Sequence, residues 1–366
     1  TITLTYKLGT ACVSRGVMQI ATDIYTECMK RLKEQKYHLI GAHTAVKKCL
    51  WVHNALVHGR FCYKCKFYGI ESHRCIQMSP AVLWCWNSCL HCWRMRPQDM
   101  GSLGDDLTRL PYVDDPEFIV ELAILEHKRT VSGYRNRTSK EMFAEATDPK
   151  HVAISLTGEP TLYPRLSELI SEFHKRGLST FLVTRGIRPD VLASLEEEPS
   201  QLYISLEAYD SQTYAYFNRP LIPNAWELTM KSLEILPSFT APTVVRITLV
   251  KGFNMDDTAI KNFKKLMEVS QPTYIETKAY MHVGRSINRL EKSNMPTFKE
   301  VKEFAKRLSD EIGYNIVSFS LASRVVLLTR LEKSFIRFGN GCLKGWDDVD
   351  ECEDGLSEYE KPEDVI

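Results

Sequence analysis

Residues 85–92 read CWNSCLHC and bring three cysteines, Cys85, Cys89 and Cys92, into one short loop. Thiolate ligands suit both zinc and iron–sulfur clusters. A 4Fe–4S cube normally takes four cysteines, so a loop that offers three leaves one iron free to bind a small molecule. Zinc is the alternative, but zinc ribbons favour paired C-x2-C halves. The loop therefore predicts a 4Fe–4S cluster with an open iron.

Strand-like and helix-like segments alternate after this loop, which itself follows a strand-like segment at 76–84. Strand, helix, strand at this rhythm predicts a parallel sheet with helices outside. The fold class expected is α/β, a partial (β/α)6 TIM-like barrel with functional loops at the C-terminal strand ends. The later strand-like runs are 151–157, 179–184, 201–207, 243–250, 273–280 and 315–321.

Charge is spread unevenly along the 366-residue chain, whose formal net charge is +1. Residues 1–98 carry fourteen Lys/Arg against four Asp/Glu, whereas residues 346–366 carry ten Asp/Glu and one Lys. The basic part indicates either a polyanionic partner such as nucleic acid or a solvated basic face. The acidic part predicts a disordered tail. We find no membrane-length apolar run and no secretory signal, so we expect a cytoplasmic protein.

Three further cysteines, Cys49, Cys62 and Cys75, precede the loop at intervals of thirteen residues. A second set of three thiolates suggests a second cluster that also keeps an open iron. Cys62 and Cys65 form a C-x2-C pair, which fits half a zinc site or a redox pair equally well. From the spacing alone, both interpretations stay open.

A short turn-forming stretch, Thr157-Gly158-Glu159-Pro160, ends the strand-like run that begins at residue 151. Glycine lets backbone approach a ligand closely, and proline fixes the turn. The backbone groups and the Glu159 carboxylate are therefore candidates for holding an amino group of a cofactor. The alternative is an ordinary strand-to-helix turn in which Pro160 opens the helix.

The chain resembles the radical S-adenosylmethionine (SAM) superfamily, because C-x3-C-x2-C is followed by the Gly-Glu-Pro element. Within it, the chain closely resembles the tRNA 4-demethylwyosine synthase family over about residues 35–330. The cysteine triplet at 49, 62 and 75 belongs to that likeness. The other motifs are CYKCKFYGIESHRC (62–75), SLTGEPTLYP (155–164), NRPLIP (218–223), RITLVKG (246–252) and KAYMHVG (278–284).

This resemblance implies a radical SAM barrel with an N-terminal cysteine-rich extension and two 4Fe–4S clusters. The first cluster would bind SAM, which Thr157, Gly158, Glu159, Pro160 and Ser205 would contact. The second cluster would engage pyruvate. The ligands implied are Cys85, Cys89 and Cys92 for the first cluster and Cys49, Cys62 and Cys75 for the second.

The reaction implied joins a tRNA to pyruvate. A 5′-deoxyadenosyl radical takes hydrogen from the methyl group of N1-methylguanosine, the nucleoside 3′ of the anticodon in phenylalanine tRNA. The carbon radical adds to pyruvate, one carbon is lost, and a tricyclic imidazopurine closes. Lys64 matches the family's proposed Schiff-base lysine. Such a lysine must be partly neutral, and Lys66 and Arg60 are candidates to lower its pKa; a solvated or phosphate-binding lysine is the alternative.

Four residues depart from the family pattern. Cys65 replaces a polar residue and is a competing ligand candidate, and Glu207 replaces an aspartate. His91 stands where an aromatic ring packs on the SAM adenine, and Arg185 replaces an asparagine near SAM. Other strand-end candidates, for pyruvate carboxylate or tRNA phosphate, have structural ion pairs as their alternative. They are Lys251, Glu276, Lys278 and His282.

We expect three parts: an extension over 1–75, the barrel over 76–335 and the acidic tail over 336–366. Eukaryotic members carry an N-terminal flavodoxin-like domain, which this sequence lacks, so the resemblance is to archaeal-type members. It implies an external one-electron donor of flavodoxin or ferredoxin type, and we expect a monomer. Two alternatives are another radical SAM enzyme with an auxiliary cluster and a non-catalytic, zinc-stabilised RNA-binding module.

Overall fold

The computed structural model describes residues 15–100, 109–110, 112–331 and 338, with side chains from residue 25 onward. Within these residues, helices cover a sheet of ten strands in the order β1-β2-β3-β4-β5-β6-β7-β8-β10-β9. The strands are β1 (His38–Ile40), β2 (Thr44–Val46), β3 (Cys75–Ser79), β4 (His151–Ile154), β5 (Ser179–Thr184), β6 (Gln201–Leu206), β7 (Thr243–Leu249), β8 (Tyr274–Ala279), β9 (Asn315–Ser320) and β10 (Val325–Thr329).

Helices occupy most of the connections between these strands. In chain order they are α1 (Arg15–Glu34), α2 (Leu50–His58), α3 (Tyr63–Tyr68), α4 (Pro116–Ser132), α5 (Lys140–Thr147), α6 (Leu166–Lys175), α7 (Pro189–Ala193), α8 (Ser211–Asn218), α9 (Ala225–Ile235), α10 (Asp257–Ser270) and α11 (Phe298–Ile312). Local sequence fixes several of their ends. At α11, Thr297 and Glu300 form a capping box, and Gly313 takes the left-handed conformation after the last turn.

Strands β3 to β8 run parallel to one another, which confirms the predicted partial (β/α)6 barrel. The run predicted at 315–321 forms β9, but it lies at the sheet edge. It is separated from β8 by β10, which is antiparallel to both. The prediction missed β10, because the chain turns back between the two strands without a crossover helix.

The cysteine-rich extension holds two short strands and two helices, α2 and α3, between residue 36 and β3. The strands β1 and β2 are three residues long, too short to show an alternating pattern. They extend the sheet antiparallel beyond β3. Helix α3 packs inside the barrel, where Tyr63, Phe67 and Tyr68 lie against Phe181 and Tyr203 of the strands. Its position places residues 62–64 inside the barrel, near the C-terminal ends of the parallel strands.

The division at residue 75 stays a prediction, although residues on both sides of it share one sheet and one core. The predicted tail lies outside the described residues except for Phe338. The backbone N–H of Phe338 donates to the Tyr68 carbonyl at 2.8 Å, and its ring lies 5.3 Å from that of Phe181. Among the described helices, none is long and apolar enough to cross a bilayer.

Candidate active site

A large cavity of about 1490 Å³ lies at the C-terminal ends of the parallel strands. Lys64, Gly158 and Ser205 line it, as do Thr157 and Glu159. Pro160 does not line it; this residue is buried and begins a short 3-10 helix. The structure therefore brings nearly all of the predicted site residues to one place. The cysteines that line the cavity are Cys49, Cys62, Cys75, Cys85, Cys89 and Cys92.

The loop that carries the first triplet is held by backbone hydrogen bonds to the end of α8. Ser88 N–H donates to the Asn218 carbonyl at 2.9 Å, and Leu90 N–H donates to the Phe217 carbonyl at 2.9 Å. Asn87 and Pro220 form an isolated bridge. The sequence motif at 218–223 thus serves as a support for the cysteine loop.

Two arginines satisfy the carbonyls that the loop turns inward. Arg289 donates to the carbonyls of Leu90, at 3.0 Å, and Cys92. Arg96 donates to the Cys89 carbonyl at 3.1 Å, and Asp99 accepts from both guanidinium groups. The arginines thus hold the loop through its backbone oxygens, and Asn218 Nδ2 donates to Cys89 Sγ at 3.6 Å.

The thiols within each triplet lie close enough to perturb one another. Burial raises the pKa of Cys62 to about 11, and Cys49 contributes to that rise. Burial likewise raises the pKa of Cys75 to about 12 and of Cys89 to about 11. Buried thiols lose their protons readily only when a metal centre offsets the charge. The two donor sets fit clusters in that respect.

A mononuclear zinc site takes three or four protein ligands around one point. Among the residues that the structure describes, no three His, Cys, Asp or Glu side chains converge in that way. A 4Fe–4S cube instead spreads its thiolates over separate corners. Cys65, the competing ligand candidate, is buried, takes part in a disulfide and does not line the cavity.

Gly158 lets the Gly-Glu-Pro turn lie directly against the start of the cysteine loop. Its φ is +72°, and a Cβ there would lie 1.8 Å from the Ala81 carbonyl oxygen. The next residue donates its N–H to the Trp84 carbonyl at 2.8 Å. No residue with a side chain fits this contact.

The Glu159 carboxylate accepts hydrogen bonds from other groups of the protein. One oxygen accepts from the hydroxyls of Thr161 at 2.7 Å and Thr184 at 2.6 Å, and from the Thr161 N–H at 3.1 Å. The other accepts from the Arg185 N–H at 3.0 Å. The carboxylate therefore fixes the loops after β4 and β5 relative to each other. Its predicted contact with a cofactor amino group stays a prediction.

Three of the residues that depart from the family pattern meet at one point beside Cys89. Arg185 pairs with Glu207, and its other guanidinium nitrogen lies 2.8 Å from His91 Nε2. Burial would raise the pKa of Glu207, but Arg185 and His91 hold it well below its usual range. Asn218 donates to Glu207 at 3.3 Å. The Glu207 carboxylate thus stays ionised.

Polar atoms around this network have no hydrogen-bond partner among the described residues. They are His91 Nδ1, Asn218 Oδ1 and Asn87 Oδ1, whereas Glu207 Oε1 lies 3.2 Å from His91 Nε2. Buried polar groups are normally paired, so unpaired ones beside a large cavity indicate a polar ligand. SAM, with amino, carboxylate and ribose groups, has the chemistry that such atoms need. The site therefore fits this cofactor as well as the cluster.

Lys64 lies in the other half of the cavity, between aromatic rings. Its Nζ lies 4.5 Å from the Tyr203 ring centroid and 5.3 Å from that of Phe181. Its amine forms no hydrogen bond or ion pair with the described residues. Burial lowers the pKa of Lys64, and the Arg246 guanidinium lowers it further. Lys66 and Arg60, which sequence proximity suggested for this role, are not among the causes.

Arg246 belongs to a buried network that the sequence did not reveal. It donates to Glu276 at 2.7 Å and to the Tyr63 hydroxyl at 2.9 Å. The hydroxyls of Tyr63 and Tyr68 donate to the same carboxylate. Arg246 lies opposite Glu276 in the register of β7 and β8. Alternate residues of a strand face the same side. This alternation in the motif at 246–252 is the sequence signal that could have indicated an inward-facing Arg246.

The remaining strand-end candidates separate into two groups. Lys278 lines the cavity, and burial followed by Arg246 lowers its pKa to about 8. Lys251 pairs with Glu300 at 2.5 Å, and His282 bonds the Leu290 carbonyl at 3.0 Å. Lys251 and His282 do not line the cavity, so they match the structural alternative.

Two family models match consecutive parts of the chain. Residues 80–263 match the radical SAM superfamily, and residues 269–330 match the model for wyosine base formation. The tRNA 4-demethylwyosine synthase of Pyrococcus abyssi is 45% identical over 86% of this chain and 91% of its own length. The chain belongs to the tRNA 4-demethylwyosine synthase family. Members of the radical SAM superfamily use SAM and a 4Fe–4S cluster, so this chain, as a member, uses both.

Two solved structures of synthases in this family have the same architecture. A structure of TYW1 with a lysine–pyruvate adduct bound is 41% identical, with a TM-score of 0.76. It covers 85% of this chain and 98% of that one. The crystal structure of an archaeal TYW1 is 38% identical, with a TM-score of 0.69, and covers 85% of this chain and 99% of that one.

Proposed function

We propose that this chain is a tRNA 4-demethylwyosine synthase that condenses N1-methylguanosine of phenylalanine tRNA with pyruvate. The observation that carries the proposal is the meeting of two cysteine triplets and one unpaired lysine in one cavity. The relatives bearing that name cover nearly the whole of their own length in the match. An RNA-binding module would need neither a second set of thiols nor a reactive amine.

The first triplet and its surroundings would hold a 4Fe–4S cluster and SAM. When bound, this pair supplies a carbon radical able to remove a hydrogen atom from an N-methyl group. Arg289 and Arg96 fix the loop so that the sulfur atoms face the cavity. The backbone of Thr157 and Gly158, together with Ser205, lies beside it for SAM contact. The buried walls keep water from the reacting carbon.

Lys64 is assigned the covalent step with pyruvate. Its neutral amine attacks the C2 carbonyl carbon, a C=N bond replaces the C=O bond, and the carbonyl oxygen leaves as water with two hydrogens. No oxidant or reductant is needed. The lowered pKa of Lys64 raises the fraction of neutral amine. A related structure holds a lysine–pyruvate adduct, which supports this role.

Cys49, Cys62 and Cys75 are assigned a second 4Fe–4S cluster. All three thiols line the same end of the cavity as Lys64, and each of the first two raises the pKa of the third. When bound, that cluster would offer an open iron to pyruvate beside the lysine. Disulfide-bonded Cys65 leaves the three as the available thiols of this region.

The tRNA would approach the cavity through its basic rim. Lys36, Lys47 and Lys48 of the extension and Arg285 of a late loop all line the cavity. A base must leave its stack to enter such a pocket, and an anticodon loop makes that inexpensive. The basic rim offers phosphate contacts for the loop backbone.

Reductive cleavage of SAM would take up one electron, and we assign its supply to a protein of flavodoxin or ferredoxin type. A monomeric state and a cytoplasmic location stay predictions.

The proposal is tested with anaerobically reconstituted protein, dithionite, SAM, pyruvate and tRNA that carries N1-methylguanosine. Nucleoside mass spectrometry should detect the imidazopurine, with label from pyruvate C2 in the new ring and from C3 in its methyl substituent. Lys64→Ala should abolish this product. SAM cleavage with no labelled nucleoside in the parent protein would instead indicate a different radical SAM reaction.

A further inference from the structure

Lys278 is a largely buried cation that the steps above do not use. It lies near the end of β8, and its side chain lines the cavity with Lys64 and Cys62. Both lysines lie close enough to the Cys62 thiol to lower its pKa. Lys278 is therefore placed in the half of the cavity that holds the second triplet.

The ammonium of Lys278 keeps donors to spare. Its Nζ donates to the Ser323 carbonyl at 2.8 Å and lies 4.8 Å from the Tyr63 ring centroid. Among the described residues, it pairs with no carboxylate. An ammonium has three N–H donors, so two of them remain for a ligand.

Ser323 supplies a second polar group at the same place. It is only 6% exposed and lines the cavity, and its hydroxyl has no hydrogen-bond partner among the described residues. A buried hydroxyl without a partner costs free energy unless a ligand or water satisfies it. The hydroxyl and the ammonium together offer donors to one oxygen-rich group.

The other charged groups nearby are already committed. Arg246 donates to Glu276 and to Tyr63, and Glu276 also accepts from Tyr68. Lys64 must give up its charge to attack a carbonyl carbon. Among the described residues of this half of the cavity, Lys278 is therefore a cation that keeps donors for the anionic part of the substrate.

We infer that Lys278 and Ser323 form the subsite that binds the carboxylate of the 2-oxo acid whose carbonyl carbon Lys64 attacks. This inference rests on the proposed function. Two fixed contacts, one covalent at C2 and one ionic at C1, orient the remaining methyl carbon in the cavity. The subsite also selects 2-oxo acids over neutral ketones, because an uncharged group would leave a buried ammonium unpaired.

The test compares pyruvate with pyruvamide, which has the same ketone but no charge. Adducts are trapped on the reconstituted protein with borohydride and quantified by intact mass over a range of ligand concentrations. We expect the parent to require less pyruvate than pyruvamide for half-maximal trapping. Lys278→Met should raise that pyruvate concentration roughly tenfold to hundredfold and leave the pyruvamide value nearly unchanged.

Ser323→Ala should shift the same pyruvate value in the same direction, by roughly threefold to tenfold. Lys251→Met is the matched control, since Lys251 pairs with Glu300 outside the cavity, and it should change nothing. Retention of the parent's preference for pyruvate in Lys278→Met would overturn the inference.

If Lys278→Met does not fold, the parent protein alone still tests whether the carboxylate subsite exists. Equal trapping of pyruvate and pyruvamide in the parent would show that no carboxylate subsite exists. Absence of any adduct in the parent would refute the Lys64 step of the proposed function, on which the subsite depends. The two failures are therefore distinguishable.

Discussion

Lys64 shows how a single residue gains a chemical role from its surroundings. From the sequence, the family resemblance assigns Lys64 the Schiff-base role, with a solvated or phosphate-binding lysine as the alternative. Inside the barrel, it lies against two aromatic rings and beside Arg246. Burial and a neighbouring cation both disfavour the ammonium form, so the fraction of neutral amine rises.

Removing the charge of Arg246 should move the pH dependence of adduct formation. Because Arg246 lowers the pKa of Lys64, Arg246→Gln should raise that pKa and shift the rising limb of the trapping rate to higher pH, by about one unit. Borohydride trapping of pyruvate between pH 6 and 10 measures the shift. Arg246→Lys keeps the charge and should stay near the parent profile; a profile unchanged in Arg246→Gln would show that burial alone controls Lys64.

Single residues could be predicted where their spacing is short and their chemistry is rare. The triplet of Cys85, Cys89 and Cys92 is of that kind, and its members do line one cavity. Arg246 and Arg289 were not found, because their partners lie 30 residues or more away in the chain. Closeness in the sequence suggested Lys66 and Arg60 instead, because residues that are close in the chain need not be close in the fold.

At the scale of elements, the turn after β4 shows how tightly the loops of the site pack. Gly158 and Gly177 have nearly the same φ, +72° and +73°. A Cβ at Gly158 would strike the Ala81 carbonyl, whereas one at Gly177 would meet no atom within 4 Å. Comparing substitutions at Gly158 and Gly177 therefore separates the cost of backbone strain from the cost of steric contact.

Gly158→Ala should therefore cost more stability than Gly177→Ala. The control should lose about 1 kcal/mol from the left-handed conformation alone. Gly158→Ala should lose more than about 2 kcal/mol, because the loop that carries Cys85 must also move. Denaturant unfolding and iron content measure the two effects. Equal losses in both variants, with full iron content, would contradict the close approach seen here.

Helices α4 and α5 are joined by a buried histidine that should make the fold sensitive to acid. His127 Nε2 lies 2.9 Å from the Ala146 carbonyl, and burial lowers the pKa of His127 from 6.5 to about 4. Between those pH values, the unfolded chain binds a proton that the folded chain does not, so stability falls as pH falls. The loss reaches up to about 3 kcal/mol at pH 4.

His127→Gln removes this titration and should flatten that part of the stability curve. Urea unfolding between pH 7 and 4 gives the slope for both proteins. If the slope is the same in the variant, other groups account for the acid sensitivity.

The order and type of the parallel elements could be predicted because each is long enough to show its period. Five predicted runs, from 151–157 to 273–280, match β4 to β8 within a few residues. The antiparallel additions were missed, since β1 and β2 are very short and β10 follows β9 through a tight turn. Their pairing is decided by the finished sheet, which local sequence does not describe.

The described part of the molecule combines a parallel barrel with a helix, α3, that packs inside it. The aromatic cluster around Tyr63 and Phe181 holds α3 in that position. This placement brings Lys64 and the second triplet toward the first triplet inside one cavity. Sequence reasoning predicted the participants but could not predict that the extension enters the barrel, because no periodic pattern marks α3.

The basic rim of the cavity should make tRNA binding sensitive to salt. Removing one lysine–phosphate interaction reduces the slope of log affinity against log salt by about one. Lys36→Ala should show that reduction, since this exposed lysine lines the cavity mouth. Lys264→Ala is the control, because Lys264 is exposed but pairs with Glu311 on the surface. Filter binding of tRNA at several salt concentrations measures both, and equal slopes would remove Lys36 from the interface.

The central claim is that two iron–sulfur cubes share one cavity, each held by its own three cysteines. Mössbauer spectroscopy and iron analysis of anaerobically prepared protein test it directly. The account predicts about eight irons per chain in the parent and about four in Cys62→Ala, which should still cleave SAM. About four irons in the parent, with no decrease in Cys62→Ala, would contradict it.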